Sequence, residues 1–169
     1  SGEYCSVDRV GQVPSLALDV AGQPHISYYY QYCSICDGYR CGSGEVRYAR
    51  WTGNAWAIET VDAAGGEGDW PPPLGWNSLA LDASGSAHIS YYVSYYAPYP
   101  YYGGALRCAR QDARAWVVET VDGDGDTGQY CALALDGAGR PYISYYDATS
   151  HRLRYAQRAA PTPTATPTA

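Results

Sequence analysis

Three groups of side chains in this sequence are spaced so that they could do chemistry together. The run Asp122-Gly123-Asp124-Gly125-Asp126 alternates carboxylates with flexible glycines. That spacing suits calcium, which gathers about six to eight oxygen ligands. No Glu follows at the EF-hand position and no helices flank the run, so a solvated acidic turn is the alternative. Cys33, Cys36 and Cys41 lie close together. A structural zinc site needs a fourth ligand, and no His is near, so a disulfide stapling this segment fits better. Cys108 and Cys131 can pair with each other or with the remaining thiol of that segment. The partner of Cys5 would mark where its strand goes, and six cysteines leave the connectivity open. His25 and His88 occupy one position of a repeat, where a third copy has Tyr142, so they read as structural. His151 stands alone in a turn. No Ser/His/Asp order, nucleophile elbow or paired-carboxylate motif stands out, and a protein that is not an enzyme is expected.

The elements that must position these residues come in copies. Ser15-Leu-Ala-Leu-Asp19 leads to His25-Ile-Ser-Tyr-Tyr29, Ser78-Leu-Ala-Leu-Asp82 to His88-Ile-Ser-Tyr-Tyr92, and Ala132-Leu-Ala-Leu-Asp136 to Tyr142-Ile-Ser-Tyr-Tyr146. Each pair reads as a β-hairpin, with Gly22, Gly85 and Gly139 at a turn position that calls for positive φ. A second hairpin follows. Its first strand is Val46–Arg50, Leu106–Arg110 or Leu153–Gln157, and its second is Trp56–Asp62 or Trp116–Asp122. Side chains alternate with period two: Leu16 and Leu18 oppose Ala17, and Ile26 and Tyr28 oppose Ser27. One face is bulky and the other small, so neighbouring sheets can pack closely. Four short strands per unit mark a propeller blade. No window has helical periodicity, so an all-β fold without helix is expected.

These motifs resemble the tandem Tyr-rich propeller-like repeats of proteins secreted by environmental bacteria, whose units read S-L-A-L-D-x-x-G-x-P-H-I-S-Y-Y-D, then L-R-Y-A, then W-x-x-E-T-V-D. The resemblance covers nearly all of the chain before its tail and implies a propeller-like fold in an extracellular setting. It implies no activity, because propellers host many unrelated functions. Here there are only three units, at residues 15–62, 78–122 and 132–158, within a repeat domain spanning 1–158. A sialidase-type reading is not carried over, since Asp19-Val-Ala-Gly22 matches that turn only loosely.

The third unit lacks its Trp-x-x-Glu-Thr-Val-Asp strand. Tyr4-Cys5-Ser6-Val7-Asp8 aligns with Ile58–Asp62, which makes residues 4–10 an orphan fourth strand. The expectation is that it completes the last blade, in trans rather than in cis, because closed propellers typically have about four to eight blades. The subunit joint would then comprise Tyr4, Cys5, Val7 and Val10 of one chain against Leu153 and Tyr155 of another. A head-to-tail joint that does not close gives a filament. A two-chain ring of six blades is the closed alternative.

Insertions at Gln31–Glu45 and Val93–Ala105, and a stretch from Ala63 to Asn77, read as loops. Trp70, Trp76, Tyr95, Tyr96, Tyr99, Tyr101 and Tyr102 on them could stack on sugar rings, which makes a lectin-like carbohydrate- or protein-binding module the rival reading. Residues 159–169 form a Pro/Thr tail. Thr162, Thr164, Thr166 and Thr168 are candidate O-glycosylation sites, held exposed by prolines that keep the backbone extended; a plain linker is the alternative.

Composition narrows the partners. A formal net charge of −6 over 169 residues leaves no basic patch for nucleic acid or an anionic membrane. No apolar run is long enough to span a bilayer. The bulk comes from nineteen Tyr and five Trp, with no Phe or Met, and Tyr suits thin sheets and wet interfaces. Six Cys and a polar start at Ser1 fit a processed chain in an oxidising, extracellular or cell-surface compartment. The expectation is a structural surface-fibre subunit that partners itself and carries glycans, without a cofactor unless calcium binds Asp122, Asp124 and Asp126.

Overall fold

The computed structural model describes residues 7–36, 39–63, 76–96, 102–113 and 115–157, with the backbone alone for 7–9, 32–36, 39–43, 95–96 and 102. The described residues form eleven strands and no helix. The first antiparallel sheet is β1 (Val7–Leu18), β2 (Pro24–Cys36), β3 (Tyr39–Trp51) and β4 (Trp56–Asp62). The second is β5 (Asn77–Leu81), β6 (Ala87–Tyr96), β7 (Tyr102–Asp112) and β8 (Ala115–Asp122). The third has three strands, β9 (Thr127–Leu135), β10 (Pro141–Asp147) and β11 (Arg152–Gln157), and ends on β11. The absent fourth strand of the third unit is thus an open edge among the described residues.

The hairpins follow from turn chemistry. Asp19 Oδ1 accepts the N–H groups of Ala21 and Gln23. Asp82 does the same for Ser84 and Ser86, and Asp136 for Ala138 and Arg140. Each turn then needs a left-handed residue, and the glycines supply it: φ is +75° at Gly22, +82° at Gly85 and +73° at Gly139.

The sheets stack in chain order, with β5 on β1 and β2, and β9 on β5, β6 and β7. The alternation of large and small residues explains this. Leu79 and Leu81 of the second sheet pack over the Ala17 side of the first, in a core with Val46, Tyr48, Ile89 and Tyr91. A second core joins Leu106 and Cys108 to Cys131, Ile143 and Tyr145. The innermost strands are also stitched together. Ser15 Oγ accepts the Leu79 N–H and Ser78 Oγ accepts the Leu133 N–H, both at 3.0 Å.

Three expectations are corrected. The two insertions are not loops in their described parts, because antiparallel pairing continues into them. β2 and β3 stay in register out to Cys36↔Tyr39, and β6 and β7 out to Tyr96↔Tyr102. The described part of the orphan strand is not unpaired: Val7–Val10 begins β1 and pairs with Tyr30–Cys33 on the lengthened β2. The cause is the linker. Only three positions separate Asp8 from Gly11, against six from Asp122 to Gly128 in the third unit, so the chain runs straight into β1. Finally, Cys108 and Cys131 are buried thiols and not a disulfide. Cys131 donates to the Trp76 carbonyl at 3.3 Å, and burial pushes its pKa up to about 11, so it packs as a small apolar group.

Candidate functional site

The site is built from what the sheets do to each other and what the two end sheets leave undone. At each internal contact the Asp that closes a fourth strand reaches the next sheet. Asp62 Oδ2 accepts Tyr91 Oη at 2.7 Å and Arg107 Nη1 at 2.8 Å. Asp122 Oδ2 accepts Tyr145 Oη at 2.7 Å and Arg154 Nη1 at 3.0 Å. The Tyr lies in the Ile-Ser-Tyr-Tyr strand and the Arg in the Leu-Arg strand, so one carboxylate pins two strands of its neighbour. Burial, then the Asp122 carboxylate, pushes the Tyr145 pKa up to about 12. Burial, then the Asp62 carboxylate, shifts Tyr91 upward in the same way. The motif signal was present in all copies, but only the fold shows that the three residues meet. The first unit carries the same residues as Asp8, Tyr28 and Arg47. There Arg47 Nε donates to Glu45 at 2.8 Å, and its guanidinium lies 3.6 Å over the Tyr30 ring.

The repeated histidines each sit beside the Asp of their own hairpin turn. His25 sits 3.7 Å from Asp19, and His88 sits 3.6 Å from Asp82. Tyr142 Oη donates to Asp136 at 3.3 Å in the third copy. The His25 ring also bonds the buried Tyr48 hydroxyl. His151 bonds Tyr146 on the surface.

Between the first and second sheets Tyr48 packs edge-on to Trp116, with ring centroids 5.2 Å apart, and Trp116 Nε1 donates to Glu59 at 3.0 Å. Between the second and third sheets Cys108 replaces Tyr48, no Trp strand follows, and a cleft of about 620 Å³ remains. Asp82, His88, Cys108, Arg110, Glu119 and Arg140 line it.

The end faces carry the clearest chemistry. Leu153 is 81% exposed and Tyr155 58%, whereas their counterparts Val46, Leu106 and Tyr48 are all 0% exposed under the next sheet. At the other end Leu16 is 63% exposed and its counterpart Leu79 7%. The joint residues Leu153 and Tyr155 are therefore open, and Val10 is open too, while Tyr4 and Cys5 lie outside the described residues and Val7 is described by backbone alone.

Other candidates are placed differently. Asp122, Asp124 and Asp126 do not converge. Asp122 holds Tyr145 and Arg154, and Asp126 Oδ1 and Oδ2 accept from Tyr92 and Gln129. The Asp124 N–H turns back to Asp122. No cluster of three His, Cys, Asp or Glu able to hold a metal occurs among the described residues. Trp76 is not an open platform: it stacks between Tyr92 and Tyr130, with centroids 5.8 and 4.1 Å away, in the second core. Trp70, Tyr99 and Tyr101 lie outside the described residues, as do Thr162, Thr164, Thr166 and Thr168, and the side chains of Tyr95, Tyr96 and Tyr102. The side chains of Cys33, Cys36 and Cys41 are likewise outside. Their backbones place Cys33 opposite Gly42, Cys36 opposite Tyr39 and Cys41 opposite Ser34, so no two face each other across the hairpin. No protein-family model and no curated protein matches the chain.

Proposed function

We propose that this chain is an extracellular structural protein, the subunit of a surface fibre that assembles head to tail by β-strand exchange and carries glycans on its Pro/Thr tail. It works without catalysis. One observation carries the reading: each end sheet exposes residue positions that the inner contacts cover, fully at Val46, Leu106 and Tyr48 and nearly so at Leu79. A face built from Leu153 and Tyr155 has the shape and chemistry to meet one built from Leu16 and Leu18. Each Leu-sized side chain so covered contributes about 1.5–3 kcal/mol. Because the two faces differ, the joint is heterologous and adds subunits without limit unless the rotation closes a ring.

The open edge of β11 supplies the second part of the joint. An unpaired edge invites β-strand addition. The segment from Tyr4 to Val10 of the next copy has the right sequence for it. In the isolated chain Val7–Val10 rests on β2; in the fibre that pairing gives way to one with β11. Gly11 at φ +79° and Val13 at φ +48° form the hinge. Once the strand is exchanged, Asp8 takes the place that Asp62 and Asp122 hold at the inner contacts, facing Tyr28 and Arg47 of its own chain. The resulting stack is propeller-like in its blades and continuous along its axis.

The test is the particle formed in solution, by sedimentation and electron microscopy, with and without residues 1–6, a truncation that leaves β1 whole. Open filaments from the full chain and monomers from the truncated one are expected. A lasting monomer in both, or a closed two-chain ring, overturns the fibre.

A further inference from the structure

A cavity of about 170 Å³ opens beside β11 between the second and third sheets, lined by Cys108, Glu119, Pro141, Ile143 and Ala156 among others. Its larger neighbour shares Cys108, Glu119 and Pro141. The equivalent place between the first and second sheets is solid: Tyr48, Ala87, Ile89 and Ala109 are all 0% exposed. Two differences account for the space. Cys108 stands where the other contact has the phenol of Tyr48, and among the described residues the third sheet has no strand whose counterparts of Trp116 and Val118 would face it.

The aligned N-terminal segment answers both differences. Matching Asp8 to Asp122 places Tyr4 at the position of Val118 and Gly2 at that of Trp116. In the β7–β8 pairing Val118 lies opposite Ala109. The residue equivalent to Ala109 on β11 is Ala156, which lines the cavity. Cross-strand partners project on the same face. A strand added to β11 in the register of the repeat therefore carries Tyr4 over the cavity. Inside the chain large Tyr48 packs against Trp116; at the joint Cys108 is small and Gly2 stands at the Trp116 position, so Tyr4 is the large side chain that the segment brings to this face.

We propose that the cavity beside Cys108 is the socket for Tyr4 of a second copy. The phenol packs on Cys108 and Ala156, and its hydroxyl donates to Glu119, as Trp116 Nε1 donates to Glu59. This rests on the strand-exchange reading and adds to it a specificity device: the third sheet takes the N-terminal strand by fit and not by backbone pairing alone.

Three full-length variants test it, with self-association measured by sedimentation. Tyr4→Ala empties the socket, and Cys108→Tyr fills it. Each is expected to weaken association about tenfold or more, the equivalent of one lost aromatic contact. The double variant Cys108→Tyr with Tyr4→Val restores the residue types that the first contact carries at these two positions, Tyr48 and Val118, and is expected to recover most of the loss. Labelling of Cys108 by a thiol reagent gives a second readout, slow in wild-type assemblies and fast in Tyr4→Ala. Wild-type association in both single variants overturns the socket, even where removal of residues 1–6 still disperses the fibre. Weakening by Cys108→Tyr without recovery in the double variant overturns Tyr4 as the occupant. Association that survives the truncation overturns strand exchange and the socket together.

Discussion

The acidic locks show how a single side chain holds two sheets. Asp122 is mostly buried and accepts from both Tyr145 and Arg154. Asp122→Ala leaves the buried Tyr145 phenol without its acceptor, while Arg154 keeps Asp147 at 2.8 Å; the loss costs about 1–3 kcal/mol. A urea denaturation midpoint lowered to match is expected, and an unchanged midpoint would sink the lock. Tyr48 offers a pH signature. Burial, opposed in part by Arg50, pushes its pKa from 10.0 up to about 12. The folded state holds that proton more tightly than the unfolded chain does. The resulting stability is fully present below pH 10 and is lost as pH rises through about 12. Alkaline titration followed by circular dichroism is expected to show unfolding in that window. Tyr48→Phe removes the titration, so an identical alkaline limb in that variant would count against this cause. At the acid end Asp147, which is 1% exposed, is shifted downward by the Ser150 hydroxyl and N–H, with help from Arg154. Its contribution is present above the unfolded carboxylate value of about 3.9 and is lost as pH falls below it.

Among the elements, β9 shows how close two sheets can come. Gly128 has φ +107°, and a Cβ there would lie 2.7 Å from the Leu106 Cα. The clash is with backbone, so no rotamer change relieves it. Gly128→Ala is expected to cost about 2–4 kcal/mol, combining left-handed strain with overpacking. Gly137→Ala is the control, since nothing lies within 4 Å of its Cβ position, and about 0.5 kcal/mol or less is expected there. Equal midpoints for the two variants would mean that the sheets can part freely at β9. The loop before β9 is held as firmly. The Asp126 N–H donates to Thr149 Oγ1, and the Ala148 N–H donates to the Asp126 carbonyl. Hence the Asp-Gly-Asp-Gly-Asp run acts as a stitch between sheets, with its carboxylates turned apart.

At the scale of the molecule the end faces set the behaviour. Leu153→Asp or Tyr155→Asp on the open third sheet is expected to abolish association while leaving the unfolding midpoint of the monomer unchanged. The same change at the buried counterpart, Leu106→Asp, is expected to cost about 3 kcal/mol or more and to unfold the chain. A fibre that tolerates Leu153→Asp would show that the face is not part of the joint. In the proposed fibre each added copy would meet a contact of the kind used twice inside the chain, so stability is expected to rise with fibre length, as in other one-dimensional arrays.

What is local and what recurs can be read from the amino-acid order alone. The three Ser/Ala-Leu-Ala-Leu-Asp hairpins, their Asp-to-Gly turns and the missing fourth strand were legible because turn chemistry and period-two alternation act over a few residues, and three copies vote on each position. The equivalent placement of His25 and His88, each beside the Asp of its turn, followed from the same recurrence. Other features needed the tertiary structure, because they depend on which surfaces meet. The Gln31–Glu45 insertion looked like a loop, yet its backbone had an adjacent strand to pair with and so extended the sheet. The sequence leaves Asp122 open between a calcium ligand and an acidic turn, and only the fold shows that Tyr145 and Arg154 reach it across the sheet contact. Cys108 looked like half of a disulfide, but its meaning lies in volume: it is small where Tyr48 is large, and only the stacked sheets reveal the space that this leaves. Local backbone preference is written residue by residue. A cavity, a lock or an open face belongs to two sheets at once, and it exists only when packing has brought them together.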